Sequence, residues 1–95
     1  MIIQSVKFKS GLSDSEARRI MEERAPQFRA IPGLIQKYYG YEQATGEYAG
    51  IYLWDSEQSL REFRESELAR TIPLAYKAEG PPRIEIFEVL APLRG

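Results

Sequence analysis

The sequence contains no cysteine, no histidine and no asparagine among its 95 residues. Without cysteine, it can form no disulfide, thiolate nucleophile or sulfur-based metal site. Without histidine, Ser-His-Asp and Cys-His arrangements are excluded, and no imidazole can act as general base, zinc ligand or haem ligand. Any chemistry must therefore use carboxylates, Lys, Arg, Tyr, Trp, Ser, Thr or Gln, or the reactivity of the substrate itself.

Several cofactor and partner signatures are also missing. No Gly-x-Gly-x-x-Gly loop or other phosphate-binding glycine loop is present, and no Asp-x-Asp loop with a turn glycine offers a site for a hard cation. We therefore expect no nucleotide, flavin or metal cofactor. The 13 basic and 14 acidic residues give a net charge of −1, which favours neither nucleic acid nor an anionic membrane as a partner.

The chain has no apolar run that approaches the roughly 20 residues of a membrane span. Its first residues (MII) lack the basic segment and the long apolar segment of a signal peptide. We therefore expect a cytoplasmic protein. The length of 95 residues predicts one domain over residues 1–95.

In the first third of the chain, hydrophobic periodicity predicts a strand and then a helix. Residues 2–9 alternate with period two, which places Gln4 on the same side as the apolar Ile2, Val6 and Phe8. Residues 13–16 (SDSE) have the pattern of a capping box, and apolar residues then recur every three or four positions up to residue 31. Pro26 lies inside this helical pattern and predicts a kink or break near residues 22–23.

The remaining two thirds predict a hairpin, a second helix and a last strand. Strands over residues 34–43 and 48–55 flank a turn at residues 44–46, which is typical of a hairpin. Asp55 or Ser56 can cap a helix with apolar positions at residues 60, 63, 68 and 72, which ends at Pro73. A strand over residues 83–90 follows. The order βαββαβ predicts an α+β, ferredoxin-like fold, in which two helices cover one face of a four-stranded antiparallel sheet.

Both faces of this sheet carry apolar side chains. By alternation, the second strand has Leu34 and Tyr38 on one face and Ile35, Tyr39 and Tyr41 on the other. The third strand has Tyr48, Tyr52 and Trp54 on one face and Ala49, Ile51 and Leu53 on the other. The fourth strand has Ile84, Ile86 and Leu90 on one face and Phe87 and Val89 on the other. Because two helices can cover only one face, we expect the other face to pack against a second copy of the chain as a homodimer.

Four stretches make the chain similar to the dimeric α/β-barrel superfamily, and within it to the antibiotic-biosynthesis-monooxygenase-like group and its small mono-oxygenase relatives. They are residues 31–34 (IPGL), 50–57 (GIYLWDSE), the pair Leu60 and Phe63, and residues 80–89 (GPPRIEIFEV). The resemblance covers nearly the whole chain. It implies a homodimer whose two sheets form a barrel, with no metal or flavin, and a flat aromatic phenol or quinol bound between sheet and helices.

The resemblance also implies roles for single residues. Haem-degrading relatives use an asparagine on strand one, a tryptophan at the end of strand three and a histidine late in helix two. Trp54 matches the tryptophan, and the asparagine position falls at about Gln4, which keeps an amide. The histidine position falls near Ile72 and Pro73, where no metal ligand exists, so the sequence argues against haem degradation.

These considerations predict Gln4, Trp54 and Arg64 as catalytic residues and Tyr38, Tyr52 and Phe63 as substrate-binding residues. An arginine beside an apolar pocket would lower the pKa of a bound phenol and stabilise its anion. Each residue also has a purely structural interpretation. Trp54 could fill the core, the tyrosines could pack with their hydroxyls in water, Phe63 could anchor helix two, and Arg64, like Arg24, could extend its head to solvent.

Two function classes fit the sequence. The first is a cofactor-independent mono-oxygenase that acts on a small aromatic phenol or quinol. The second is a non-catalytic protein of the same fold that binds a small molecule. The absence of histidine and asparagine favours the second class, whereas the aromatic pattern fits both.

Overall fold

Four strands form one antiparallel sheet in the computed structural model, which describes all residues 1–95. The strands are β1 (Ile2–Phe8), β2 (Leu34–Glu42), β3 (Glu47–Trp54) and β4 (Arg83–Glu88), and their order in the sheet is β2-β3-β1-β4. Helix α1 (Asp14–Arg29) connects β1 to β2, and α2 (Glu57–Glu65), α3 (Glu67–Arg70) and α4 (Ile72–Ala75) connect β3 to β4. This arrangement confirms the α+β, ferredoxin-like prediction.

The two central strands, β1 and β3, have one buried face. Every second residue of each strand is buried, in agreement with the period of two in the sequence. The buried side chains pack against α1 and the later helices in one core: Ile2, Val6, Phe8, Ala17, Phe28, Tyr48, Tyr52, Trp54, Leu60, Phe63, Ile72 and Tyr76. Gln4 is the one buried polar side chain among them.

Helix α1 is capped at its first turn and is continuous over its whole length. Ser13 and Glu16 form the predicted capping box, in which each side chain accepts a hydrogen bond from the other residue's backbone N–H. The predicted break near residues 22–23 does not occur, because α1 is helical from Asp14 to Arg29 and includes Pro26. Pro26 lies in the last turns of the helix, where it removes one backbone hydrogen bond, and Phe28 beyond it holds the end of the helix in the core.

The second helix is shorter than predicted. Its apolar spacing continues to Ile72, but the helix ends at Glu65 because Ser66 has an extended backbone, with φ −76° and ψ 156°. The Ser66 hydroxyl donates to the Phe63 carbonyl at 2.5 Å and accepts from the Ala69 N–H at 3.2 Å. Ser66 therefore ends α2 and caps α3, and the chain changes direction between them.

A β-bulge changes which residues of β2 share a face. Leu34 pairs with Trp54 and Gln36 pairs with Leu53, so that Ile35 is an extra residue. After the bulge, Tyr38 pairs with Ile51 on the face away from the helices. The prediction that Leu34 and Tyr38 share a face is therefore wrong, because alternation along the chain cannot reveal an inserted residue.

The face away from the helices, here called the open face, is partly apolar. Its exposed aromatic side chains are Tyr38 and Phe87, which are 64% and 53% exposed. Ile51 and Leu53 lie between them on β3 and are half-buried. No helix of the protein has the length and apolar character needed to cross a membrane.

Candidate functional site

A buried hydrogen bond joins two of the residues that the sequence analysis selected. Gln4 of β1 and Trp54 of β3 are 2% and 0% exposed, and the Trp54 indole Nε1 donates to Gln4 Oε1 at 3.0 Å. Because an indole N–H can only donate, the Gln4 amide must turn its oxygen towards Trp54. The NH₂ group of Gln4 then faces the other way and remains available as a donor.

Trp54 belongs to an aromatic cluster beneath α2. Its ring lies parallel to Tyr52 at a centroid distance of 5.8 Å and lies 5.1 Å from Phe63. Phe28 of α1 completes the cluster, 6.0 Å from Phe63. Trp54 is therefore fully buried, and it contacts two residues beside it, Gln4 through a hydrogen bond and Phe63 through ring packing.

A cleft of about 230 Å³ lies over Gln4, between the β1–β4 side of the sheet and the chain from α2 to α4. We call it the Gln4 cleft. Its lining residues are Gln4, Val6, Phe63, Arg64, Ala69, Arg70, Ile72, Pro73, Pro82 and Ile84. It forms because the helices leave the β4 edge uncovered, so that Ile84 and Ile86 remain exposed although they share a face with Val6 and Gln4.

The Gln4 cleft is positively charged and has apolar walls. Arg64 at the end of α2 and Arg70 at the end of α3 both line it, and no Asp or Glu does. The guanidinium groups and the Gln4 amide can therefore donate hydrogen bonds to an oxyanion. The apolar side chains of Phe63, Ile72 and Ile84 can contact the body of a flat ligand.

Tyr52 lies on a different side of the core. It lines an inner cavity of about 20 Å³, which has room for about one water molecule. Burial raises the pKa of the Tyr52 phenol well above its ordinary value, because the interior disfavours the phenolate. Tyr52 therefore stays protonated and neutral across the physiological range.

The structure brings together some of the predicted site residues and separates others. Gln4, Phe63 and Arg64 line the Gln4 cleft, and Trp54 contacts the first two from below. Tyr38 lies on the open face, opposite to Tyr52. The two predicted substrate-binding tyrosines therefore cannot contact one ligand in the same chain.

Arg24 connects two helices through hydrogen bonds. Its Nη2 donates to the Leu68 carbonyl at 2.9 Å and to Thr71 Oγ1 at 3.1 Å, which ties α1 to the end of α3. Its Nε is buried and has no hydrogen-bond partner in the chain.

Two basic residues were missed by the sequence analysis. Arg70 enters the Gln4 cleft only because the chain turns at Ser66, and no periodic pattern marks that turn. Lys37 interrupts an apolar stretch of β2, but the pattern does not say which face of the sheet it occupies, and the bulge at Ile35 turns it towards the helices. No group of three or more Asp, Glu, His or Cys side chains is arranged to hold a metal ion.

The four-stranded antiparallel sheet with its helices on one face defines an α+β protein of the ferredoxin-like class. A family model described as "Putative mono-oxygenase ydhR" matches residues 3–93, and the chain belongs to this family. No curated protein sequence matches the chain.

Solved structures share the fold at low sequence identity. SnoaB, a cofactor-independent oxygenase from Streptomyces nogalater, is 14% identical, has a TM-score of 0.78, and is matched over 99% of this chain and 97% of that protein. Rv0793 from Mycobacterium tuberculosis is 16% identical with a TM-score of 0.77, over 97% of each chain. A "putative antibiotic biosynthesis monooxygenase" from Deinococcus radiodurans is 13% identical with a TM-score of 0.77, over 99% of this chain and 97% of its own.

Proposed function

We propose that this protein is a cofactor-independent mono-oxygenase that oxidises a small aromatic phenol or quinol bound in the Gln4 cleft. The observation that carries the proposal is the composition of the cleft. It combines the Gln4 amide, two arginines and apolar walls, and it has no carboxylate. Its volume of about 230 Å³ lies below the roughly 300–1,000 Å³ of drug-sized ligand pockets, which favours a substrate of one or two rings.

The chemistry starts from the anion of the substrate. Arg64 and the Gln4 amide stabilise the phenolate oxygen and so lower the pKa of the bound phenol. The phenolate is a far better electron donor than the neutral phenol, and it transfers one electron to oxygen. The two radicals then combine through a new C–O bond, and the resulting peroxide anion takes up, from water, the proton that the phenol released and becomes a ring hydroperoxide.

Loss of water completes the reaction. The hydroperoxide carbon loses its proton, the O–O bond breaks, and the ring carbon becomes a carbonyl, so that phenol plus O₂ gives quinone plus water. One oxygen atom of O₂ ends in the carbonyl and the other in the water, and the substrate supplies all four electrons that O₂ accepts. In this proposal the protein positions the ring between Phe63 and Ile84, and Trp54 holds the Gln4 amide in the orientation that presents its NH₂ group.

The test uses chelator-treated protein and a series of hydroquinones and naphthols between pH 5 and 9, with oxygen uptake and quinone formation as readouts. We expect turnover without added metal, haem or flavin, and a rate that rises as the substrate ionises. Gln4→Leu and Arg64→Gln should each lower kcat/KM by roughly tenfold or more, the equivalent of one lost charge-assisted contact. Arg61→Gln changes an exposed arginine of α2 that pairs with Glu57, and it should leave the rate unchanged.

Two results would contradict this function. Turnover that requires added flavin or metal would exclude the mechanism. Tight binding of the phenols without any oxygen uptake would favour the second function class of the sequence analysis, a protein that binds an aromatic ligand without transforming it.

We also propose that the protein forms a homodimer through the open face. The exposed rings of Tyr38 and Phe87, with Ile51 and Leu53 between them, support this proposal. Tyr38 would then contact the partner subunit, which gives it a structural role in place of the substrate-binding role expected from the sequence.

A further inference from the structure

Lys37 lies in an aromatic cage on the far side of the core from the Gln4 cleft. Its Nζ is 3.4 Å from the centroid of Phe28, 4.4 Å from that of Tyr39 and 4.6 Å from that of Tyr52. Lys37 forms no salt bridge and no side-chain hydrogen bond, unlike Lys7, which pairs with Glu42. The amine therefore has no acidic partner to stabilise its charge.

Glycine at position 50 makes room for this cage. A Cβ at Gly50 would lie 3.4 Å from Lys37 Cε and 3.0 Å from a carbon of the Tyr52 ring. A larger residue at position 50 would therefore crowd the Tyr52 ring and contact the Lys37 side chain. The sheet thus holds Lys37 against the rings instead of letting its head extend into solvent.

The cage opens to the outside through a groove. Lys37 lines both the inner cavity of about 20 Å³ and a groove of about 370 Å³ between α1 and β2. Arg29 and Tyr39 also line the groove, and no Asp or Glu does. A ligand in this groove would meet the guanidinium of Arg29 and the amine of Lys37 together.

The surroundings of Lys37 favour a neutral amine. Burial and the nearby charge of Arg24 lower the pKa of Lys37 to about 7, because both disfavour the ammonium form. The three ring faces act in the opposite direction, since they attract a cation. The titratable and charged groups that face the amine are Arg24 and Arg29 from α1, Tyr39 from β2, Tyr48 and Tyr52 from β3, and Tyr76 after α4.

We propose that Lys37 is an imine-forming amine, and that it reacts with a small aldehyde that carries a carboxylate, which Arg29 holds in the groove. A neutral lysine in an apolar pocket is the form of the residue that attacks carbonyl carbon. Nothing in the oxidation at the Gln4 cleft uses this amine.

The reaction balances without an oxidant. The Nζ lone pair attacks the carbonyl carbon and forms a carbinolamine. One amine proton moves to the oxygen in this step; the hydroxyl then leaves with the remaining N–H proton as water, and a C=N bond forms between Lys37 and the ligand. Hydride from cyanoborohydride reduces that bond to a stable secondary amine, which allows the adduct to be located.

The experiment treats the whole protein with glyoxylate and cyanoborohydride at pH 7 and maps the labelled peptides by mass spectrometry. Lys9 and Lys77 are exposed and serve as internal controls in the same sample. We expect Lys37 to be labelled at least roughly tenfold faster than either, because the lowered pKa raises its neutral fraction at pH 7 by up to about three orders of magnitude. The ratio of Lys37 to Lys9 labelling should fall between pH 7 and 10, since an exposed lysine ordinarily gains neutral amine throughout this range.

Two variants separate the parts of the proposal. Lys37→Arg places a guanidinium group, which does not form an imine, in the cage and should abolish the adduct at this position. Arg29→Gln should slow labelling by glyoxylate by roughly tenfold, the effect of one charge-assisted contact, but should leave labelling by acetaldehyde, which has no carboxylate, unchanged.

Labelling of Lys37 no faster than that of Lys9 and Lys77 in the unaltered protein would overturn the proposal. A constant ratio between pH 7 and 10 would do the same, because it would show a lysine that the cage keeps charged. Both readouts are independent of oxygen uptake, so they do not depend on the proposed mono-oxygenase activity.

Discussion

Inside the core, the Gln4 amide oxygen accepts the hydrogen bond that the Trp54 indole N–H donates. We expect Gln4→Leu to lower the free energy of unfolding by about 1–3 kcal/mol. The variant leaves the buried Trp54 N–H without an acceptor, so that its removal from water is no longer compensated by a hydrogen bond. Urea unfolding measures this loss. Gln58→Leu changes an exposed glutamine of α2 and should stay within about 0.5 kcal/mol of the unaltered protein. A Gln4→Leu protein of unchanged stability would contradict the importance of this hydrogen bond.

Lys37 makes stability depend on pH. Its pKa is lowered to about 7 in the folded protein and should be near 10.4 in the unfolded chain. Between these values the unfolded chain binds more protons, so the stability of the unaltered protein rises with pH over this window. Lys37→Met removes this dependence. The free energy of unfolding of Lys37→Met, minus that of the unaltered protein, should therefore fall by about 2–3 kcal/mol from pH 6 to pH 9.

Urea unfolding at pH 6 and pH 9 checks this prediction, with Lys9→Met as the matched control for loss of an exposed lysine. The control should show the same stability difference at both pH values. A Lys37→Met difference that does not change with pH would mean that the cage keeps its amine fully charged.

At the scale of elements, α1 continues past Pro26, where the sequence pattern predicts a kink or a break. Pro26 is exposed, and it removes the backbone donor that would bond to the carbonyl of Glu22. We expect Pro26→Ala to raise the free energy of unfolding by about 1–3 kcal/mol, because it restores this hydrogen bond. Part of the gain is offset because alanine gives the unfolded chain more conformational entropy than proline does. Thermal unfolding with Gln27→Ala as the neighbouring control provides the measurement. Equal or lower stability of Pro26→Ala would show that α1 needs the proline.

The break at Ser66 affects the Gln4 cleft, whereas Pro26 does not line that cleft. The two hydrogen bonds of the Ser66 hydroxyl end α2 and start α3, and the resulting turn places Arg70 beside Arg64 over the Gln4 cleft. A continuous helix would carry residue 70 away from Gln4, since each residue advances the helix by about 1.5 Å. The contribution of Arg70 to the charge of the Gln4 cleft therefore depends on Ser66, which does not line the cleft.

At the scale of the whole molecule, the open face is the proposed dimer interface. We expect a homodimer in sedimentation experiments at micromolar concentration, with a total buried area on the order of 1,600 Å². Tyr38→Asp should shift it to a monomer with unchanged circular dichroism, because a carboxylate without a partner is costly inside an apolar interface. Leu74→Asp changes an exposed residue of α4 and should leave the dimer intact. A monomeric unaltered protein would contradict the dimer.

The sequence by itself determined the order of the elements, the capping box of α1 and the buried side of β1 and β3. These features depend on side-chain period and on hydrogen bonds between residues a few positions apart, which can be read locally. The absence of histidine and cysteine likewise limited the chemistry before any fold was known.

The tertiary structure alone decided which side chains meet. The bulge at Ile35 put Tyr38 on the open face and Lys37 under the helices, and the turn at Ser66 brought Arg70 to Gln4. Strand register is set by pairing between distant segments, and one inserted residue moves every later side chain to the opposite face. The cage around Lys37 likewise combines rings from α1, β2 and β3, so its effect on the amine exists only in the folded chain.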